Sequence, residues 1–252
     1  MVQIKTREEV DLIRESCRIV AQVLRMLEKS IRPGVSTKEL DEIAEDFIRS
    51  QGAKPAFKGY NPPNTKAYPA SICASIDDEV VHGIPNGRTL HEGEVVSIDV
   101  GVLKGRYYGD GAWTFAVAKV SEKKEFLLKV TQESLYRGIE QAVAGKKLHD
   151  ISYAVQQHVE QAGFSVVREL AGHGIGKRLH EDPPIPNFGE PGTGIELREG
   201  MTLAIEPMVN VGTHKIRLMH DGWTVRTQDG EPSAHFEHTV VVRKGKAEIL
   251  TE

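Results

Sequence analysis

One ten-residue pattern occurs twice in this chain, and that repetition constrains the fold more than any other feature of the sequence. Leu90-His91-Glu92-Gly93-Glu94-Val95-Val96-Ser97-Ile98-Asp99 matches Leu197-Arg198-Glu199-Gly200-Met201-Thr202-Leu203-Ala204-Ile205-Glu206 in the pattern L-x-E-G-x-x-x-x-I-[D/E]. Each copy runs through an apolar stretch into a carboxylate. An H-G-I tripeptide lies ahead of each copy, His82-Gly83-Ile84 and His173-Gly174-Ile175, and each half also holds two helical segments. A pseudo-symmetric duplication accounts for this, with halves of approximately 1–120 and 121–252 inside one unit spanning 1–252. Coincidence among generic apolar positions is the competing reading.

Local patterns fill in the elements. Val10, Ile13, Cys17, Val20, Leu24 and Leu27 fall at helical spacing within residues 6–30, and Pro33-Gly34 stops that helix. Ser36 and Glu39 form the S-x-x-E signature of a capping box, opening a second helix through Leu40, Ile43, Phe47 and Ile48. From Gly52 to Pro69 the chain turns to Pro, Gly, Asn and Tyr and reads as a long functional loop. Residues 94–120 alternate and are rich in Val, Tyr, Phe and Thr, which predicts two strands joined at Lys104-Gly105. Two further helices are expected at 121–144 and 148–162, followed by strands separated by Gly/Pro loops.

Composition removes several function classes. A net charge of −4 gives no basic footprint for nucleic acid. No apolar run reaches the length of a membrane span, and the charged start MVQIKTREEVDLIRES is unlike a secretion signal, so a cytoplasmic protein is expected. The two cysteines, Cys17 and Cys73, lack a disulfide or zinc-ribbon spacing and read as buried thiols.

The polar residues that interrupt apolar strands carry the chemistry. A hairpin turning at Lys104-Gly105 sets Asp99 directly opposite Asp110, and two carboxylates about 5 Å apart need a cation or a proton between them. A bulge that separates the two is the bland alternative. His173 lies in Ala171-Gly172-His173-Gly174-Ile175-Gly176, where the flanking glycines let the backbone approach a ligand closely. Glu206 ends the run MTLAI just before Pro207, so it emerges at a strand end. Glu237 occupies a position in SAHFEHTVVV that would ordinarily be apolar or face solvent. Taken singly, each has a commoner structural or surface reading.

Together Asp99, Asp110, His173, Glu206 and Glu237, in the motifs GEVVSIDVG, GRYYGDGAWTF, AGHGIGKRLHEDP, GMTLAIEPM and SAHFEHTVVV, resemble the methionine aminopeptidases of the bacterial type I form. The similarity runs from the first helix to the last strand. It implies an α+β protein of the pita-bread fold, two halves related by a pseudo-twofold axis around a central antiparallel β-sheet. It also implies a hydrolase that removes an N-terminal methionine, ahead of a small second residue, from peptides and nascent proteins.

The same resemblance implies two divalent metal ions, Asp110 and Glu237 bridging them, Asp99 on one and His173 with Glu206 on the other. Oxygen-rich ligation suits cobalt, manganese or iron, with zinc or nickel next. Glu206 is the implied general base, His180 steadies the substrate carbonyl and His82 meets the scissile amide nitrogen. Tyr60, Tyr68, Cys73 and Trp223 are expected to line the methionine pocket, with Phe57 and Leu179 at neighbouring positions where relatives carry other side chains. The segment Asn61 to Ala67 is also longer than in many relatives. A peptide N-terminus is the expected partner, the ribosome a further one, and a monomer the expected state. The alternatives are a proline-directed aminopeptidase of the same fold, which usually carries an added amino-terminal domain, and a binding module that has lost metal ligands.

Overall fold

The computed structural model describes residues 2–63 and 65–252, so Asn64, within the Asn61 to Ala67 segment, lies outside the described residues. Four helices and a set of antiparallel strands make an α+β protein. Helix α1 spans Arg7–Ser30 and opens with a capping box the sequence reading overlooked, Thr6 accepting from the Glu9 amide and Glu9 from the Thr6 amide. Its six apolar positions at helical spacing are all buried. Helix α2, Thr37–Ser50, starts with the expected Ser36–Glu39 box. Each such cap stabilises a helix start by about 1 kcal/mol.

Helix α3 covers Glu122–Ile139 and α4 covers Leu148–Gln161. The third helix therefore ends earlier than the expected 144. Tertiary hydrogen bonds pull the chain away there: the Ala144 amide donates to the Arg243 carbonyl and Gly145, at φ +94°, donates to Leu197.

The long hairpin forms from Val95–Lys104 and Tyr107–Ala116, but its register differs from the expected one. Lys104 pairs with Tyr107, so Gly105-Arg106 makes the turn, with Gly105 at φ +62°. Glycine at the first central position of a two-residue hairpin turn supplies the positive φ at no steric cost. Asp99 consequently pairs with Ala112, and Gly101 with Asp110. The two aspartates are diagonal neighbours on one face and not a direct pair, as the sequence reading had them.

Val95–Lys104 also pairs with Cys73–Ile76 and Lys54–Pro55. A second, five-stranded sheet runs Glu248–Ile249, His238–Val241, Thr202–Ile205, Ala171–Gly174, Glu181–Pro186. The two sheets meet where Glu237 donates its amide to the Ala112 carbonyl and Thr239 donates its hydroxyl to the Asp110 carbonyl. Two three-stranded sheets complete the set. One joins Ser233–His235, Met208–Asn210 and Ser165–Val166; the other joins Ile216–Leu218, Val225–Thr227 and Glu79–Val81.

Helices α1 and α2 cover the first sheet with Val20, Leu27, Leu40 and Ile48 against Ile98 and Val100, all fully buried. Helices α3 and α4 cover the second with Leu127, Leu135 and Val159 against Leu203 and Val240. Truncating one such residue, for example Leu203→Ala, costs about 2–5 kcal/mol. The repeated segments occupy matching environments: Leu90 and Leu197 are both fully buried, and Gly93 and Gly200 take φ +92° and +89°. Among the described residues no helix is long and apolar enough to cross a membrane.

Candidate metal centre and adjoining cavity

The seam between the two large sheets gathers the polar residues that interrupt their strands. Asp99 and Asp110 come from the hairpin, His173 from the Ala171–Gly174 strand, Glu206 from the end of Thr202–Ile205, and Glu237 from the link between the Ser233–His235 and His238–Val241 strands. All five line one cavity of about 190 Å³. Asp110, His173 and Glu237 offer ligand atoms within 4.8 Å of one another, as do Glu206, His235 and Glu237. Glu237 is common to both groups. The His173 Nε2 lies 3.9 Å from Asp110 Oδ2 and 3.7 Å from Glu206 Oε1.

Such crowding is electrostatically costly without a counter-charge. Burial, then the neighbouring carboxylates, pushes Asp110 and Glu237 well above the usual carboxyl range, and burial pushes Asp99 up to about 7. Glu206 goes the other way: burial raises it, but His235, His173 and His180 outweigh burial and leave it below its ordinary value. Asp99 Oδ1 and Glu237 Oε1 are buried and find no hydrogen-bond donor among the described residues. Orphaned carboxylate oxygens converging from separate strands fit divalent cations, which would satisfy them and cancel their repulsion.

The glycines around His173 have a different purpose from the one inferred from sequence. A Cβ at Gly172 would meet the Ala204 carbonyl oxygen at 2.4 Å, and one at Gly174 the Asp182 carbonyl oxygen at 2.2 Å. They admit neighbouring strands, not a ligand, and so fix where the His173 strand can sit.

The rest of the cavity wall is apolar. Phe57, Tyr68, Cys73, Leu179 and Trp223 line it, with Tyr60 and Pro62 at its edge. Phe57 lies over the hairpin because Gly101 leaves room: a Cβ there would come within 2.6 Å of the ring. Tyr68 meets Trp223 edge to face at 5.1 Å and donates to the Ile72 and Gly83 carbonyls. Cys73 pairs with Asp99 across the sheet, and burial raises its thiol well above the usual value, so it remains an uncharged packing group. Phe57 and Leu179 thus belong to the same wall as the other pocket candidates.

His82 and His180 stand where metal ligands and apolar wall meet. His82 holds φ +58°, an unfavourable backbone conformation for a non-glycine residue. The next residue, Gly83, is pressed so closely on Ala74 that a Cβ would lie 2.4 Å from its carbonyl oxygen. Packing therefore enforces the aim of His82. His180 lies 4.4 Å from His173, ring to ring, and its Nδ1 is 2.7 Å from the Tyr60 hydroxyl. Burial lowers both imidazoles to about 4, which keeps them neutral near pH 7.

One residue at this site escaped the sequence reading. His235 is 2% exposed and its Nε2 lies 3.3 Å from Glu206 Oε2. Its position two residues before Glu237, in a strand where alternate side chains share a face, was the available signal.

The chain is 50% identical over 252 residues to the methionine aminopeptidase of Clostridium acetobutylicum, covering 100% of this chain and 99% of that protein. Its structure matches the crystal structure of methionine aminopeptidase from Thermotoga maritima with a TM-score of 0.97 at 43% identity, over 100% of both chains. A prolidase from Pyrococcus furiosus shares the fold, with a TM-score of 0.80 at 24% identity, over 99% of this chain and 65% of that one. The expected pita-bread fold is the fold of this chain. The model of Metallopeptidase family M24 matches residues 11–244, and the carboxylate and imidazole cluster lies within that span; the chain belongs to metallopeptidase family M24.

Proposed function

We propose that this protein is a methionine aminopeptidase, removing the N-terminal methionine from peptides and nascent proteins whose second residue is small. The observation that carries the reading is the composition of a single cavity. Carboxylates and imidazoles form one end, and an apolar wall of Phe57, Tyr68, Cys73, Leu179 and Trp223 forms the other. At about 190 Å³ the cavity suits one unbranched side chain, and a thioether packs favourably against the edges of aromatic rings.

In this reading Asp99, Asp110, His173, Glu206 and Glu237 would hold two divalent ions, with Asp110 and Glu237 contributing to both. Cobalt, manganese or iron fits the donor set first, zinc or nickel next. When bound, such ions polarise the scissile carbonyl and make water acidic enough to attack it near neutral pH. Glu206 accepts a proton from the attacking water and returns it to the departing amine. The Tyr60 hydroxyl donates to His180 Nδ1, leaving His180 Nε2–H to donate to the substrate carbonyl. His82, neutral and held in a strained conformation, faces the scissile amide nitrogen. The apolar wall excludes water from the methionine side chain and fixes the bond to be cut.

The reading extends to a cytoplasmic monomer that meets chains emerging from the ribosome. It also takes residues 1–252 as one catalytic unit of two related halves, supported by the matched turns at Gly93 and Gly200. The test is metal-stripped protein assayed on Met-Ala-Ser after each divalent ion is added back. Release of free methionine is expected. Cleavage confined to bonds beside proline, or none with any ion, would reject the assignment. Glu206→Gln should remove most turnover while the protein still binds metal.

A further inference from the structure

His235 joins Glu206 and Glu237 in one of the two ligand groups without belonging to the implied ligand set. Its backbone is fixed from two directions. Thr114 Oγ1 accepts from the His235 amide at 2.9 Å and donates to the His235 carbonyl at 2.8 Å, so the Ser97 hydroxyl, 2.8 Å away, must donate to Thr114. On the other side His235 pairs with Met208, two residues beyond Glu206. The imidazole is thereby held facing Glu206, which lies between the Thr202–Ile205 strand and Pro207.

The Glu206 carboxylate lies between two imidazoles. Oε1 is 3.7 Å from His173 Nε2, and Oε2 is 3.3 Å from His235 Nε2. That nitrogen of His235 is buried and has no well-aligned hydrogen bond among the described residues. A small rotation of the Glu206 carboxylate would bring Oε2 into line with an Nε2–H donor, and among the described residues no other hydrogen bond to this oxygen is formed.

We propose that His235 is a positioning residue for Glu206: its Nε2–H caps Oε2 and so commits Oε1 to the cation and to the attacking water. This rests on the proposed role of Glu206. A carboxylate free to rotate or to chelate through both oxygens would lose that commitment. Groups that orient a metal-binding carboxylate in this way typically contribute 10–100-fold to metal affinity or activity. The Nε2–H tautomer follows from the acceptor it faces.

Manganese binding to metal-stripped protein, followed by calorimetry, tests the proposal independently of turnover. His235→Ala should weaken binding about 10–100-fold and lower kcat on Met-Ala-Ser similarly, with KM within about threefold of wild type. His235→Gln, which still offers an N–H donor, should recover both to within a few-fold of wild type. Wild-type manganese affinity in His235→Ala would overturn the proposal. So would a folded His235→Gln as impaired as the alanine variant, because the imidazole itself would then be the ligand. Nitrogen NMR of ¹⁵N-histidine wild-type protein with Mg²⁺ as a diamagnetic probe gives a test free of variants: a protonated Nε2 on His235 is expected, and an unprotonated one refutes the assignment. Should wild type release no methionine with any ion while these binding shifts hold, the proposed function fails and the His235 assignment stands.

Discussion

The Tyr60 hydroxyl lies 2.7 Å from Nδ1 of His180, a contact that ties the edge of the apolar wall to the polar end of the cavity. Tyr60 comes from the long loop after α2, and His180 from the turn before the Glu181–Pro186 strand. In the proposed mechanism the hydroxyl donates to Nδ1, and His180 then presents Nε2–H, the donor a carbonyl oxygen requires.

Tyr60→Phe removes this contact and little else. Because Tyr60 is only half-buried, stability should stay within about 0.5–1 kcal/mol of wild type. We expect kcat/KM on Met-Ala-Ser to fall about tenfold, roughly the effect of one lost hydrogen bond at 1.4 kcal/mol. Steady-state kinetics with a thermal melt checks both parts.

Metal removal should destabilise the fold, because the buried carboxylates then face one another uncompensated. At a hundredfold excess over Kd a divalent ion stabilises by about 2.7 kcal/mol, which for a chain of this size raises Tm by roughly 5–10 °C. Asp110→Asn should keep the contact of its side-chain oxygen to the Gly111 amide while removing one charge. Its Tm in chelator should equal or exceed that of stripped wild type, and added manganese should no longer raise it. A variant that responds to manganese like wild type would exclude Asp110 as a ligand.

Glu45 links α2 to the pocket loop, reaching Lys58 at 2.6 Å, Arg49 at 2.7 Å and the Ser71 hydroxyl at 2.9 Å. The Lys58 ammonium foremost, with Arg49 and Ser71, outweighs burial and holds its carboxyl down to about 2 from an ordinary 4.5. A depressed carboxyl stabilises the folded state only while ionised. Its contribution is complete above pH 4.5 and vanishes as pH falls through about 2. Solvent screening of this pair limits the effect to about 1 kcal/mol. Glu45→Gln should therefore lose about 1 kcal/mol at pH 7 and converge with wild type near pH 2, read from denaturant midpoints across pH.

Gly101 and Phe57 form a lock beneath the pocket. Gly101→Ala places a Cβ within 2.6 Å of the Phe57 ring, so this ring, which lines the cavity, must shift. Overpacking of this kind costs about 1–3 kcal/mol and should raise KM for Met-Ala-Ser by tenfold or more. Phe57→Ala in the Gly101→Ala background should recover part of the KM. Unchanged KM in Gly101→Ala would show that Phe57 does not shape the pocket.

Local chemistry was legible where its causes are local. The Ser36–Glu39 box and the apolar spacing of α1 act within a turn or two of helix, and both appear as read. The paired glycines at 93 and 200 follow from a repeated motif whose turn demands positive φ. The five carboxylate and histidine positions named from sequence motifs line one cavity, which also holds every substrate-pocket residue named from sequence.

The failures share one origin. The hairpin register depended on which residue took the positive φ, and moving the turn by one position shifted the pairing by two, turning a direct Asp99–Asp110 pair into a diagonal one. The glycines beside His173 looked like ligand clearance and are strand clearance, because Ala204 and Asp182 are neighbours only in space. His235 was missed because its importance depends on Glu206, brought to it by the pairing of His235 with Met208. The sequence by itself determined the elements, the duplicated pattern and the chemical identity of the cluster, since periodicity, capping and motif are properties of short stretches. Only the tertiary structure decided which oxygen faces which imidazole, because those distances are set where separate sheets meet and side chains must share a volume too small to leave them free.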